Sequence, residues 1–282
     1  YLSKSKIKSI VQVSTLNIPI QRLLLDLSGK KGIRTILVAA RTFGPYENSE
    51  VLLNCDVKGY SNTLLPDWYI FKDQYSKDVV FKDHPELKNK VLIGGRHLFH
   101  NREVDVGDEN KEVAILILFN HKEHLVYDLL DEIKKSGVAE LVDTIIYRCH
   151  HIYLLDKKEL VSVFPGKRLI DITGKDYNAM NNFRVITITG PTTAAMEVAQ
   201  MNSLVFWIPY IWDESIIIDD VMRNVGMLTQ NLSELTRAAQ ALLSDKNVLE
   251  KQYLKDVRYC ENYFNTKATI SEQLEKIEAL NY

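Results

Sequence analysis

Thr144-Ile145-Ile146-Tyr147-Arg148-Cys149-His150-His151 and Val185-Ile186-Thr187-Ile188-Thr189-Gly190-Pro191-Thr192-Thr193-Ala194-Ala195-Met196-Glu197 are the two stretches that decide the fold. Each begins as a β-branched run that reads as a buried parallel strand, and each ends in polar groups suited to an anion. In the second, Gly190-Pro191-Thr192-Thr193 turns the chain into an alanine-rich helix. Proline suits a first helical turn, and threonine hydroxyls satisfy free N–H groups there. Such a start attracts phosphate because its orphan N–H groups and its dipole point the same way. Arg148 and His150 at one strand end and the Thr-Thr helix start at the other predict a phosphate-ligand crevice at the edge of an open parallel sheet.

Outward from these stretches strands and helices alternate, the mark of an α/β chain. Ser9–Ser14 reads as a strand, Ile18–Gly29 as a helix entered near Pro19, and Arg34–Ala40 as a strand. Trp68–Lys72, Gln74–His84 and Lys90–Gly94 read as strand, helix and strand. Asn101–Lys111 is charged and poor in apolar residues, which predicts a linker. The alternation then restarts. Glu112–Asn120, Thr144–Cys149, Arg168–Thr173, Val185–Thr189 and Ser203–Ile208 read as strands, with helices over His124–Ser136 and Thr192–Met201. The tail from Leu232 to Tyr282 is helical by period, with Ser233 as N-cap and Leu235, Ala238, Ala239, Leu242 and Leu243 as a core stripe. The expected organisation is a Rossmann-like domain over 1–105, a second over 112–250, and helices over 251–282 packing back.

A hydrophobic fraction of 46% and a charged fraction of 26% describe an ordinary globular chain with a buried core. The net charge of −2 leaves no basic field for nucleic acid. Cys55, Cys149 and Cys260 are widely spaced and odd in number, which points to buried thiols in a reducing compartment. No apolar run is long enough to span a bilayer. Tyr1 followed by Lys4, Lys6, Lys8 and a strand leads us to expect that upstream residues are missing.

Three further features carry the reading of a family. Val91-Leu92-Ile93-Gly94-Gly95-Arg96 closes the first half, Arg148-Cys149-His150-His151 follows the second strand of the second half, and Thr192-Thr193 precedes Glu197 by about a turn. In this order they resemble the GT-B glycosyltransferases, which face two Rossmann-like domains across a nucleotide-sugar cleft. Within that class the pattern is similar to bacterial surface-polysaccharide enzymes that use CMP-sugars, and to CDP-glycerol polymerases. The resemblance covers residues 66–240. His151 stands where the family has proline, and a Thr pair replaces its Ser pair.

The resemblance implies an α/β GT-B-like protein whose first domain is short of a full set of strands. It implies that His150 contacts the donor phosphate, that Thr192 and Thr193 bind it, and that Glu197 reaches the ribose. Read from the residues themselves, Arg148 with His150 offsets the phosphate charge and stabilises the departing nucleotide, making His150 a catalytic candidate, and Gly190 lets the ligand approach the backbone. The function the resemblance implies is transfer of a sugar from a nucleotide-activated donor, CMP-linked by preference, to a surface glycan acceptor. No tightly bound cofactor or metal is implied, and the setting is the cytoplasm, with peripheral association at the inner face of the membrane.

Several residues keep two readings. His121, between Asn120 and Lys122, lines the same cleft or belongs to a solvated loop. Glu47 is the candidate base for the acceptor hydroxyl, with Glu50 beside it. Tyr210-Ile211-Trp212-Asp213-Glu214-Ser215 either meets base or sugar or packs on itself. His97/His100, His121/His124 and His150/His151 come from different loops and fit no metal-ligand motif. Two other functions stay open: a sugar-nucleotide 2-epimerase, and a non-catalytic module of a larger polysaccharide synthase.

Overall fold

A computed structural model describes residues 7–13, 19–38, 66–71, 73–94, 111–119, 123–149, 155–190, 192, 194–201, 203–208, 220–229, 232–264 and 268–280. Contacts divide the chain into two compact units, Tyr1–His100 with Glu261–Tyr282, and Asn101–Cys260. Glu47, Glu50, His121, His150, Thr193 and the Tyr210–Ser215 loop lie outside the described residues.

In the first unit four parallel strands stand in chain order: β1 (Ser9–Val13), β2 (Arg34–Val38), β3 (Trp68–Phe71) and β4 (Val91–Ile93). Helix α1 (Pro19–Lys30) joins β1 to β2, and α2 (Gln74–Asp83) joins β3 to β4. The pleat turns Ile36, Val38, Trp68, Ile70 and Leu92 to one face, in register across three strands. There they pack against Ile270, Leu274 and Ile277 of the last helix, Ile270–Ala279. Right-handed crossovers between in-order parallel strands all fall on one side of a sheet. Helices α1 and α2 therefore serve the opposite face, of buried Leu37, Tyr69, Phe71 and Val91.

The last helix is anchored at both its start and its flank. Thr269 Oγ1 accepts from the Glu272 N–H at 3.1 Å, while the Glu272 carboxylate accepts from the Thr269 N–H at 2.7 Å. Gln273 Nε2 donates to the Ile93 carbonyl at 2.8 Å. Gly94 permits the approach, since a Cβ there would lie 2.9 Å from Ile70 Cγ2 and 3.1 Å from Ile270 Cα.

The second unit holds β5 (Val113–Leu118), β6 (Thr144–Arg148), β7 (Arg168–Asp171), β8 (Arg184–Thr189), β9 (Ser203–Trp207) and β10 (Met227–Leu228). All are parallel, in the order β10-β9-β8-β5-β6-β7. The order reverses between β5 and β8, so the crossovers of the two halves go to opposite faces. Helices α3 (Glu123–Ser136) and α4 (Lys157–Val163) follow β5 and β6; α5 (Ala194–Ala199) and α6 (Asp220–Asn224) follow β8 and β9. On the α3 side Ile115, Ile117, Ile145, Ile186, Ile188, Leu204 and Phe206 meet Val126, Leu129, Leu130 and Ile133. Leu235, Ala239 and Leu242 of α7 (Leu232–Ser244) and Leu249 and Tyr253 of α8 (Lys246–Phe264) join them. Each such side chain, fully buried, contributes roughly 1.5–3 kcal/mol.

The structure differs from the sequence reading in particular elements. The helix expected over Thr192–Met201 is the shorter Ala194–Ala199. Helix α4 was not foreseen, because it buries Leu160 and presents no apolar stripe; Asp156 caps it, accepting from the Lys158 N–H at 2.9 Å. The helical tail breaks at Asp245, whose Oδ1 accepts from the Asn247 and Val248 N–H groups to start α8.

Candidate functional site

The last row of the six-stranded sheet runs Arg148, Leu118, Thr189, Trp207. Leu118 is the register partner of both Arg148 and Thr189, and Thr189 is the partner of Trp207. With strands about 4.8 Å apart, Arg148 stands roughly 10 Å from Thr189 across the strand where the order reverses. That C-terminal edge at the reversal is where open α/β sheets take ligands.

Alternation along β6 puts Arg148 on the face opposite Ile145 and Tyr147, the face that α5 covers. The guanidinium carbon lies 4.6 Å from the centre of the Tyr177 ring, within cation–π range. Tyr177 precedes the short turn Asn178–Asn182 in the β7–β8 crossover and is buried. Its hydroxyl donates to Glu197 Oε2 at 3.4 Å. Burial raises the Tyr177 pKa well above the usual phenol value; the Glu197 charge adds to that and Arg148 opposes it, so the phenol keeps its proton. Arg148 Nη1 is buried and has no hydrogen-bond partner. A buried donor without an acceptor is costly, and more so when it is charged. An anion at this edge would supply the missing acceptor.

The Thr192 hydroxyl is used by its own helix. It accepts from the Ala194 N–H at 3.3 Å, and the Thr192 carbonyl accepts from the Ala195 N–H at 3.2 Å. Helix α5 has six residues, so its dipole is that of a short segment. Thr189 Oγ1 also turns inward, donating to the carbonyl of buried Gly190 at 2.9 Å. At this edge Arg148 carries a buried donor with no acceptor.

Around this edge the neighbours are held firmly. The Cys149 N–H donates to Thr173 Oγ1 at 3.0 Å, tying the chain that leaves β6 to the chain that leaves β7. Burial pushes the Cys149 thiol up, which makes it a packing group and not a nucleophile. Trp207 is fully buried, its indole N–H donating to the Val225 carbonyl. Asp256 of α8 is wholly buried; its Oδ1 accepts from the Gly226 N–H at 2.9 Å and from Gln252 Nε2 at 2.8 Å. Its Oδ2 has no partner, and burial raises the carboxyl to about 6, against the two hydrogen bonds.

Of the residues singled out in the sequence, Arg148, Gly190, Thr192 and Glu197 are described, and the structure links Arg148 to Glu197 through Tyr177. Sequence reasoning missed Tyr177 and Asp256. The signal for Tyr177 was an aromatic between Asp176 and Asn178 in a crossover of mostly polar residues next to the strand that ends at Arg148. Among the described residues no group of three His, Cys, Asp or Glu could hold a metal ion, and no helix is long and apolar enough to cross a membrane.

No protein-family profile and no curated protein matches the chain. Solved structures do. Accessory secretory proteins 1, 2 and 3 of Streptococcus pneumoniae match at 12% identity and a TM-score of 0.56, over 99% of this chain and 54% of that one. The UDP-GlcNAc 2-epimerase of Neisseria meningitidis, bound to UDP-GlcNAc, matches at 10% and 0.57, over 100% of this chain and 78% of that one. The pneumococcal O-GlcNAc transferase GtfA, in complex with UDP and GlcNAc, matches at 11% and 0.50, over 97% and 56%. This chain thus spans about half the length of the first and third. The fold is the parallel-sheet, Rossmann-like α/β architecture of these solved structures.

Proposed function

We propose that the chain is a GT-B-type enzyme acting on a nucleotide-activated sugar, with the donor phosphates at the C-terminal edge of the six-stranded sheet. The observation that carries this reading is Arg148, whose buried Nη1 lacks an acceptor at the point where the strand order reverses. In this reading Arg148 offsets the charge that develops on the departing phosphate. Glu197 accepts hydrogen bonds from the ribose hydroxyls. His150, Thr193, Gly190 and His121 complete the phosphate surroundings, and Glu47 is the candidate base toward a glycan acceptor.

The sequence resemblance implies a CMP-linked donor, whereas the epimerase and transferase structures carry UDP-GlcNAc and UDP. A diphosphate also offers the planar guanidinium fork more acceptors than a monophosphate does. A nucleoside diphosphate-sugar is the reading we adopt. The likeness to the Neisseria epimerase supports a second reaction, isomerisation of the donor without an acceptor.

Thermal shift and calorimetry with UDP, CDP, UMP and CMP test the site. A nucleotide that binds only the folded chain raises the melting temperature by mass action. Arg148→Met is expected to cut diphosphate affinity at least tenfold while moving the unliganded melting temperature little, since it removes an unpaired buried donor. No shift with any of these nucleotides would sink the reading. Incubation with UDP-GlcNAc then separates the reactions: change of the donor alone means epimerase, and change only with a glycan acceptor means transferase.

A further inference from the structure

We propose that Tyr177 is a positioning residue: its ring stands between Arg148 and Glu197, keeping cation and carboxylate from pairing so that each meets its own part of an incoming nucleotide. The inference rests on the nucleotide reading of this site and names a residue which that reading does not require.

Three observations carry it. The guanidinium sits over the ring face at 4.6 Å with its charge also reaching the hydroxyl, and the carboxylate sits at the ring's polar tip at 3.4 Å, so both charges border one side chain. Arg148 and Glu197 form no ion pair with each other, although both border the same buried tyrosine. Arg148 Nη1 also remains without a hydrogen-bond acceptor.

A ring face explains that combination. Cation–π attraction holds a guanidinium by its plane and uses none of its N–H donors. A carbonyl, hydroxyl or carboxylate in the same place would hold Arg148 by accepting those donors, and a ligand would then have to displace it. The phenol is also suited to Glu197. It stays protonated, so it donates one hydrogen bond and leaves the carboxylate's other lone pairs for ribose hydroxyls. With the ring removed, opposite charges in a partly buried, low-dielectric setting would move together. The resulting pair would occupy the donors and acceptors that the nucleotide needs.

The experiment is calorimetric titration of the intact chain with uridine, UMP and UDP. The readout is the ratio of UDP to uridine affinity, which reports the phosphate contribution alone. The wild type is expected to prefer UDP by tenfold or more. Tyr177→Leu should erase most of that preference, because the phosphate contact with Arg148 is lost in addition to whatever Glu197 loses toward the ribose, and Tyr177→Phe, which keeps the ring, should retain it. The double variant Tyr177→Leu/Glu197→Gln removes the competing charge, and should recover at least fivefold of the UDP preference lost in Tyr177→Leu.

A tyrosine that merely packs would weaken uridine and UDP alike, and Glu197→Gln would rescue nothing. Either result overturns the inference. Should Tyr177→Leu fail to fold, Tyr177→Met takes its place, with the same two outcomes deciding. If the wild type binds no nucleotide, the nucleotide reading falls and this inference with it. If the wild type prefers UDP and the leucine variant keeps that preference, this inference alone falls.

Discussion

The two sheets of this chain are made of the same kind of parallel strand but cover their faces in different ways. The six-stranded sheet reverses its order between β5 and β8, so its own crossovers reach both faces. The four-stranded sheet runs β1 to β4 in chain order, so its crossovers lie on one side. Its other face is closed by the last helix, whose Gln273 reaches the Ile93 carbonyl across 180 residues of sequence. Reversal does more than cover a sheet. It parts the crossovers at one strand pair, and that gap is where a ligand fits. Among the described residues the in-order sheet has no such point; Thr35, for one, is tied to Asp67 at 2.8 and 3.0 Å. One sheet thus reverses and leaves a C-terminal crevice, while the other relies on long-range closure.

The sharpest way to break this comparison is to end the chain after Phe264. Loss of the last helix exposes Ile36, Val38 and Ile70 and should abolish amide protection in β2 and β3, while β5, β6 and β8 keep theirs; hydrogen exchange reads both. Equal loss in the two sheets would show that they do not stand independently. Next in size is Gly226→Ala. Gly226 has φ +69°, and a Cβ there would lie 2.2 Å from the Val205 carbonyl oxygen. The clash with backbone should destabilise the second unit by about 3 kcal/mol or more in denaturant titration.

A smaller effect is expected for Gly94→Ala, the matching contact in the first unit. Its nearest neighbours are the Ile70 side chain at 2.9 Å and Ile270 Cα at 3.1 Å, so the last helix must shift. A cost of about 1–3 kcal/mol, confined to protection in β2 and β3, would sharpen the contrast.

The smallest effect is electrostatic. Asp256 rises from 3.8 to about 6 on folding, so between those pH values the folded chain binds more protons than the unfolded one. Its contribution to stability is therefore fully present below pH 3.8 and is lost as pH rises through 6. Asp256→Asn keeps an acceptor for the Gly226 N–H and removes the charge. It should stabilise the second unit by about 1–2 kcal/mol at pH 7.5, and the gain should vanish by pH 4. A gain independent of pH would mean that burial of the charge is not the cause.

Much of the scaffold was legible in local pattern. Val113–Leu118, Thr144–Arg148, Arg184–Thr189 and Ser203–Trp207 are apolar, β-branched runs, and each formed where expected, within one or two residues of the expected ends. The shorter elements were not legible. Lys157–Val163, Asp220–Asn224 and Met227–Leu228 are too short to show a period, and they exist because neighbours hold them. Within the site, Arg148 is legible from its place at a strand end, and Glu197 from the family resemblance. Thr192, given a hydroxyl role toward phosphate, also accepts from the Ala194 N–H, a local contact that its spacing allows.

By itself the sequence determined the class of the fold and the identity of the charged groups at two strand ends. Period, β-branching and turn residues act over a few neighbours and need no partner to be read. Only the tertiary structure decided that the second sheet reverses, that Arg148 and Thr189 share a row, and that Tyr177 touches both Arg148 and Glu197. Those facts depend on the register between distant strands and on which buried donors find acceptors. Both are settled by the packing of the whole unit and by no local run of residues.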